Sequence, residues 1–128
     1  MGAREAGKKP DQMTIHAELF VYVGEQPEAE AVAKLWRFLP KAWTDFVNVS
    51  DPREIDRRAQ QEVPLDDVLR MWTVGSDPQV HIAKLQELID GGVTHIYVHA
   101  GNQYQMRAIQ FYRDEVLHKV RGERSRAA

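Results

Sequence analysis

The stretch Ile15-His16-Ala17-Glu18-Leu19-Phe20-Val21-Tyr22-Val23 decides the fold. Ile15, Ala17, Leu19, Val21 and Val23 alternate with His16, Glu18, Phe20 and Tyr22, which is the period of a β-strand. Phe20 and Tyr22 are largely apolar, so both faces of this strand are expected to be covered. A second strand, Thr94 to His99, sets Ile96 and Val98 against His95, Tyr97 and His99. Helical patterns lie between the two, so the strands are joined by crossovers and run parallel. Parallel sheets persist only when both faces are covered, and two strands do not make a sheet that stands alone. The spacing therefore predicts a piece of a larger α/β architecture, or a chain that borrows strands from a partner.

The flanking segments carry clear stop and start signals. Gly7 to Asp11 reads as a helix end followed by a turn, and Pro27 opens a helix with Ala31, Val32, Leu35, Trp36 and Leu39 on one side, closed by Pro40. Lys41 to Val49 is aromatic but aperiodic and reads as a loop in which Trp43 and Phe46 plug a neighbouring surface. Ser50-Asp51-Pro52 caps a short helix to about Gln61, and Pro64 starts another over Leu65 to Arg70. Trp72 to Gly75 is extended but too short to count as a strand. Ser76-Asp77-Pro78 opens a helix to Asp90 whose Val80, Ala83, Leu85, Leu88 and Ile89 form an apolar stripe. Gly91-Gly92 ends it. After the last strand, Met106, Ile109, Phe111, Tyr112, Val116, Leu117 and Val120 spell a closing helix.

Composition narrows the function classes. The 128 residues hold no cysteine, which excludes disulfides, thiolate nucleophiles and cysteine-ligated zinc. Seventeen basic against 19 acidic residues leave a net charge of -2, with no electrostatic reason to expect nucleic acid. The tail residues Arg121, Arg124 and Arg126 read as a solvated end. No run approaches the roughly eighteen apolar residues of a membrane span, and no secretory leader pattern opens the chain. A cytoplasmic protein with no membrane partner is the expectation. Asn48-Val49-Ser50 matches a glycosylation sequon that such a protein would not use, and Ala6 stands where myristoylation would need Ser or Thr.

Few residues suggest chemistry by themselves. His95 and His99 would share a face on a helix, but on a strand their spacing separates them by about 13 Å, too far to chelate one metal ion. No metal site is expected. His99 lies at the carboxyl end of a strand, where α/β folds build their sites, and is read either as a pocket residue or as a hydrogen-bonded structural histidine. Asn102, after Gly101, either helps aim backbone N–H groups at an anion or caps the following helix. Glu18 and Tyr22 share a strand face with Phe20, where a buried carboxylate would serve acid-base work and an exposed one would be solvated. Trp36, Trp43 and Trp72 would stack on a ring ligand or fill core and interface.

Four segments together resemble one family: Arg70-Met71-Trp72-Thr73-Val74-Gly75-Ser76-Asp77-Pro78, Leu85 to Gly92, His95-Ile96-Tyr97-Val98-His99-Ala100-Gly101, and Phe111-Tyr112-Arg113-Asp114-Glu115-Val116-Leu117. The set is similar to the luciferase-like superfamily, in the branch that uses the deazaflavin coenzyme F420 and includes glucose-6-phosphate dehydrogenases. Ala3 to Lys8, Glu18 to Tyr22 and Asp51-Pro52 fit the same branch, so the resemblance covers nearly the whole chain in collinear order. It implies that residues 1–128 are the carboxyl-terminal part of an α/β protein, a (β/α)8 TIM barrel, containing its last two strand-helix units plus extra helices. It also implies an oxidoreductase that transfers a hydride between deazaflavin and a small organic substrate, with a flavin mononucleotide monooxygenase of the same superfamily as the alternative.

The family's catalytic and coenzyme-binding residues lie mostly in earlier barrel strands, so the resemblance carries none onto this chain. The remaining candidates for a substrate-facing role are His99, Asn102 and Arg70. In sugar-phosphate members an arginine directly before the motif tryptophan helps hold the phosphate. Here Met71 precedes Trp72 and Arg70 is displaced by one residue, about 100° around a helix, which argues against glucose 6-phosphate. No coenzyme binding is expected of these residues alone. Unpaired strand edges predict self-association, a homo-oligomer, or a non-catalytic fragment that donates strands.

Overall fold

A three-stranded parallel sheet organises the computed structural model, which describes residues 2–121. Its strands are β1 (His16–Val23), β2 (Trp72–Gly75) and β3 (His95–Ala100), in the spatial order β2-β1-β3. The two principal strands lie side by side and parallel as expected, with His16 opposite His95 and Phe20 opposite His99. The short extended piece is a third strand. Phe20 pairs with Trp72 and Val23 with Gly75, on the free edge of β1.

Six α-helices surround the sheet in the described residues: α1 (Gly2–Glu5), α2 (Gln26–Ala33), α3 (Pro52–Glu62), α4 (Leu65–Met71), α5 (Pro78–Asp90) and α6 (Gln105–Phe111). Asp51 and Asp77 cap α3 and α5 by accepting from the backbone N–H groups of Arg53 and Gln79, and a proline follows each cap. Gly7, at φ 70°, terminates the first turn as its sequence suggests.

The two faces of the sheet are covered by different helices. Leu19, Val21 and Val23 pack against Leu85 of α5 and Ala108, Tyr112 and Val116 of the closing segment. Tyr22 and Trp72 of the other face pack against Ala29, Val32 and Ala33 of α2, Ala59 of α3 and Val68 of α4. This explains the strand order. β1, α5 and β3 make one strand-helix-strand unit, and residues 26–75 form an insertion that folds over the carboxyl half of the opposite face and lays β2 on the free edge.

Several expectations are corrected. Both faces are covered only in the carboxyl half of β1, because the insertion does not reach His16 and Glu18, which are exposed. The helix beginning near Pro27 stops at Ala33 and continues as tight turns at Lys34–Trp36 and Leu39–Lys41. The change of pitch turns Leu35 outward, 65% exposed, while Leu39 is buried. Of the two aromatic plugs, Phe46 is buried beneath the Arg58 guanidinium, but Trp43 is 83% exposed. The closing helix is likewise broken. After α6 it widens into a π-type turn at Tyr112–Val116, leaving Ile109 and Leu117 exposed and Tyr112 and Val116 buried. Arg124 and Arg126 lie outside the described residues.

Candidate functional site

The side chains that alternate away from α5 and α6 form rows across β1 and β3. His16 lies opposite His95 with their rings stacked at 4.4 Å, and Glu18 lies opposite Tyr97. The next row holds Trp72, Phe20 and His99 in register. Tyr22 follows at the carboxyl end. In a (β/α)8 barrel the helices line the outside; here the strand face turned away from α5 and α6 is itself covered over its carboxyl half by α2, α3 and α4, and is open at His16 and Glu18. Barrel interiors are usually filled by branched aliphatic side chains. This face instead presents imidazoles, a carboxylate, phenols and an indole.

His99 sits on this face at the carboxyl end of β3, about half exposed, with its ring stacked on Phe20 at 5.1 Å. Glu18 brings a carboxylate oxygen to 3.9 Å from His99 Nε2, an ion-pair distance when the imidazole is protonated. Phe20 is in turn held edge-on by Trp36. The His99 ring is fixed by packing on Phe20 rather than by a hydrogen bond, and its polar edge is open. His95 and His99 face the same way four residues apart on an extended strand, and no cluster of three metal-ligating side chains occurs among the described residues.

Asn102 does something the sequence does not announce. Its side-chain oxygen accepts from Val23 N–H at 3.0 Å and its amide nitrogen donates to the Val23 carbonyl at 2.8 Å. Both functions of the buried amide are thus spent on closing the end of β1. The next helix begins three residues later, so Asn102 is not its cap. Arg70 lies exposed in the last turn of α4, paired with Asp67 of the same helix. The structure does not bring Arg70 and His99 into contact.

Trp72, read from the sequence either as a ring-stacking or as a core residue, fills the core. Its indole lies parallel to Tyr22 and edge-on to Trp36, and a Cβ at Gly101 would come within 2.7 Å of its ring. Only glycine permits that approach. The ring is 7% exposed, yet its Nε1–H has no hydrogen-bond partner among the described residues. A buried donor without an acceptor costs about 1–3 kcal/mol, and this one is sealed within the core beneath α2, α3 and α4. Only the cross-strand register shows the motif tryptophan beside the carboxyl ends of β1 and β3.

One more polar constellation lies on the opposite, apolar face. His81 is fully buried, with Nε2 at 2.9 Å from the Gly75 carbonyl and Nδ1 at 2.9 Å from the Tyr112 hydroxyl. A carbonyl only accepts, so Nε2 carries the proton and Nδ1 accepts from Tyr112. Burial holds the imidazole below its ordinary pKa and pushes the Tyr112 phenol above its own. The trio ties α5, the end of β2 and the closing segment together as scaffold.

This arrangement defines a class: a parallel α/β unit with α5 and α6 on one face and, on the other, a polar and aromatic face half-covered by α2, α3 and α4, a section of an α/β fold of the (β/α)8 kind. Known proteins give the same class. No family model matches the chain. It is 39% identical, over 94% of its length, to the F420-dependent hydroxymycolic acid dehydrogenase of Mycobacterium tuberculosis, of which it covers 32%. It is 29% identical over 94% of its length to the F420-dependent glucose-6-phosphate dehydrogenase of Mycolicibacterium gilvum, covering 36%. A solved F420-dependent secondary alcohol dehydrogenase superposes with a TM-score of 0.77 at 23% identity, over 94% of this chain and 36% of that one. The chain is thus a homologue of F420-dependent dehydrogenases of the luciferase-like fold, matching the carboxyl-terminal portion of their barrel. It spans about a third of the length of the curated relatives it matches.

The open part of the polar face carries a half-exposed imidazole and aromatic rings on which a flat ligand can rest. It offers no cationic cluster for a coenzyme phosphate: Arg107, near the carboxyl ends, is paired with Glu28.

Proposed function

We propose that this chain forms the carboxyl-terminal wall of an F420-dependent oxidoreductase acting on a small organic alcohol or ketone. The observation that carries this reading is the 39% identity to a dehydrogenase of that coenzyme across 94% of the chain. When bound, the coenzyme supplies the hydride chemistry. The contribution of this chain is orientation. His99, held by Phe20 and Glu18, forms a polar wall beside the packed Trp72 ring. Asn102 keeps the loop after β3 in place, and Arg70 lies on the rim. The relatives' names favour F420 over flavin mononucleotide, and the self-paired Arg70 disfavours a sugar phosphate. The protein acts in the cytoplasm on small molecules, without nucleic-acid or membrane partners, and its open strand edges support self-association of the chain.

A chimaera tests the reading. Residues 2–121 should replace the matching third of the Mycobacterium tuberculosis relative, with F420 and flavin mononucleotide offered in parallel. Saturable quenching of F420 fluorescence, and bleaching of its visible absorbance with a panel of secondary alcohols, are expected. A folded chimaera that binds neither coenzyme, or prefers flavin mononucleotide, would overturn it.

A further inference from the structure

The insertion carries a groove that the proposed reaction does not use. Leu35, Phe38, Pro52, Ile55 and Ala59 line it, with Arg37 and Asp56 at its edge, and its volume is about 340 Å³. It exists because the helix after β1 tightens at Lys34, which throws Leu35 and Phe38 outward instead of into the core. Ile55 and Ala59, four residues apart on α3, supply the opposite wall. A groove of this size lies in the range that takes a small ligand.

Charge selects among apolar ligands. Arg37 donates through one terminal nitrogen to the carbonyls of Gln60 and Val63, at 3.3 and 3.2 Å, which pins the guanidinium beside the groove. It makes no ion pair among the described residues, and its remaining N–H groups have no partner there. Asp56, the one carboxylate of the lining, accepts from Gln60 at 2.9 Å. A pinned guanidinium that makes no ion pair among the described residues, beside an apolar channel, complements an amphiphile with a carboxylate head and an aliphatic tail.

We propose that this groove binds a medium-chain fatty acid, with the tail between Leu35, Phe38 and Ile55 and the carboxylate on Arg37. The site is independent of the oxidoreductase reading and survives its failure. It also has a built-in reporter, since the Phe38 ring stacks on Trp36 at 5.8 Å.

The test is a titration of the 128-residue chain with sodium decanoate below its micellar range, following tryptophan emission and the Ile55 methyl resonances. Saturable one-to-one binding with a Kd of about 100 μM or tighter is expected. Decanol, with the same tail and a neutral head, should bind at least about tenfold more weakly, and butyrate should not saturate. Arg37→Gln should bring decanoate to the level of decanol. Leu35→Glu, at an exposed position outside the core, should abolish binding while leaving the circular dichroism spectrum unchanged. This second variant keeps the test decisive should Arg37→Gln disturb α3. Absence of saturation, equal affinity for decanoate and decanol, or unaltered binding by Leu35→Glu would each overturn the proposal. Loss of decanoate binding as protein concentration rises would assign the groove to a second copy of the chain and overturn it as well.

Discussion

The two faces of β1 are built from the same nine-residue alternation and have opposite fates. On one face Leu19, Val21 and Val23 are 5%, 0% and 3% exposed beneath α5 and the closing segment. On the other, His16 and Glu18 stand in the open and only Phe20 and Tyr22 are sheltered by the insertion. The first face is scaffold: apolar, continuous and satisfied. The second becomes polar where the cover ends, and there the stacked histidines and the Glu18–His99 pair gather. A strand that spends one face on stability is free to spend the other on recognition.

The largest expected effect separates the faces outright. Val21→Asp places an unpaired carboxylate at a fully buried position and should cost several kcal/mol, enough to abolish folding of a marginally stable domain. Glu18→Ala, three residues earlier on the other face, should change stability by less than about 0.5 kcal/mol. Denaturant unfolding followed by circular dichroism checks both, and similar losses for the two would erase the distinction.

Next in size is the hydroxyl of Tyr112. Tyr112→Phe leaves the buried Nδ1 of His81 without its donor and should destabilise by about 1–3 kcal/mol in the same assay. A neutral outcome would mean that the trio contributes no stability.

Acid should act through the same histidine. Because burial holds the folded-state pKa of His81 below the ordinary 6.5, the unfolded chain takes up the proton more readily. Stability is therefore present in full above about pH 6.5 and is lost as the pH falls below that value toward the depressed one. The hydrogen bond to the Gly75 carbonyl, and to a lesser degree the nearby Asp77 charge, oppose the shift only in part. His81→Leu should flatten this part of the pH profile. Profiles of the unfolding midpoint between pH 5 and pH 8 decide whether the buried face senses acid.

The smallest expected effect is none. Titrated alone with F420, the chain should show no saturable binding tighter than about 10 μM, because under the proposed function it would supply one wall of the coenzyme pocket and not the whole. Tighter binding would mean that the polar face forms a site unaided. Sedimentation of the same sample should show association that grows with concentration, driven by the open edge of β3.

Much of this was legible from local pattern. The alternation of Ile15 to Val23, the caps at Asp51 and Asp77 and the glycine stops at Gly7 and Gly91-Gly92 placed strands and helices within a residue or two, because each signal is local in the chain. The family motifs were legible too, and they named the barrel and its coenzyme. Harder cases depended on contacts between distant residues. Trp72 to Gly75 has too few residues for a period to show, and it is a strand only because β1 offers a free edge. Asn102 looked like a cap or an anion site, and only the approach of Val23, 79 residues away, shows where its amide is spent.

What the sequence determined by itself is the set of elements, their parallel sense and the division of apolar from polar along each strand, since these follow from the geometry of one backbone and its nearest neighbours. The tertiary structure alone decided which polar residues became neighbours. Cross-strand register set His99 on Phe20 and Trp72 in the same row, and the folding of the insertion over half of one face buried an indole while leaving a carboxylate in the open. Those outcomes depend on packing among segments up to about eighty residues apart, and no window of sequence contains that information.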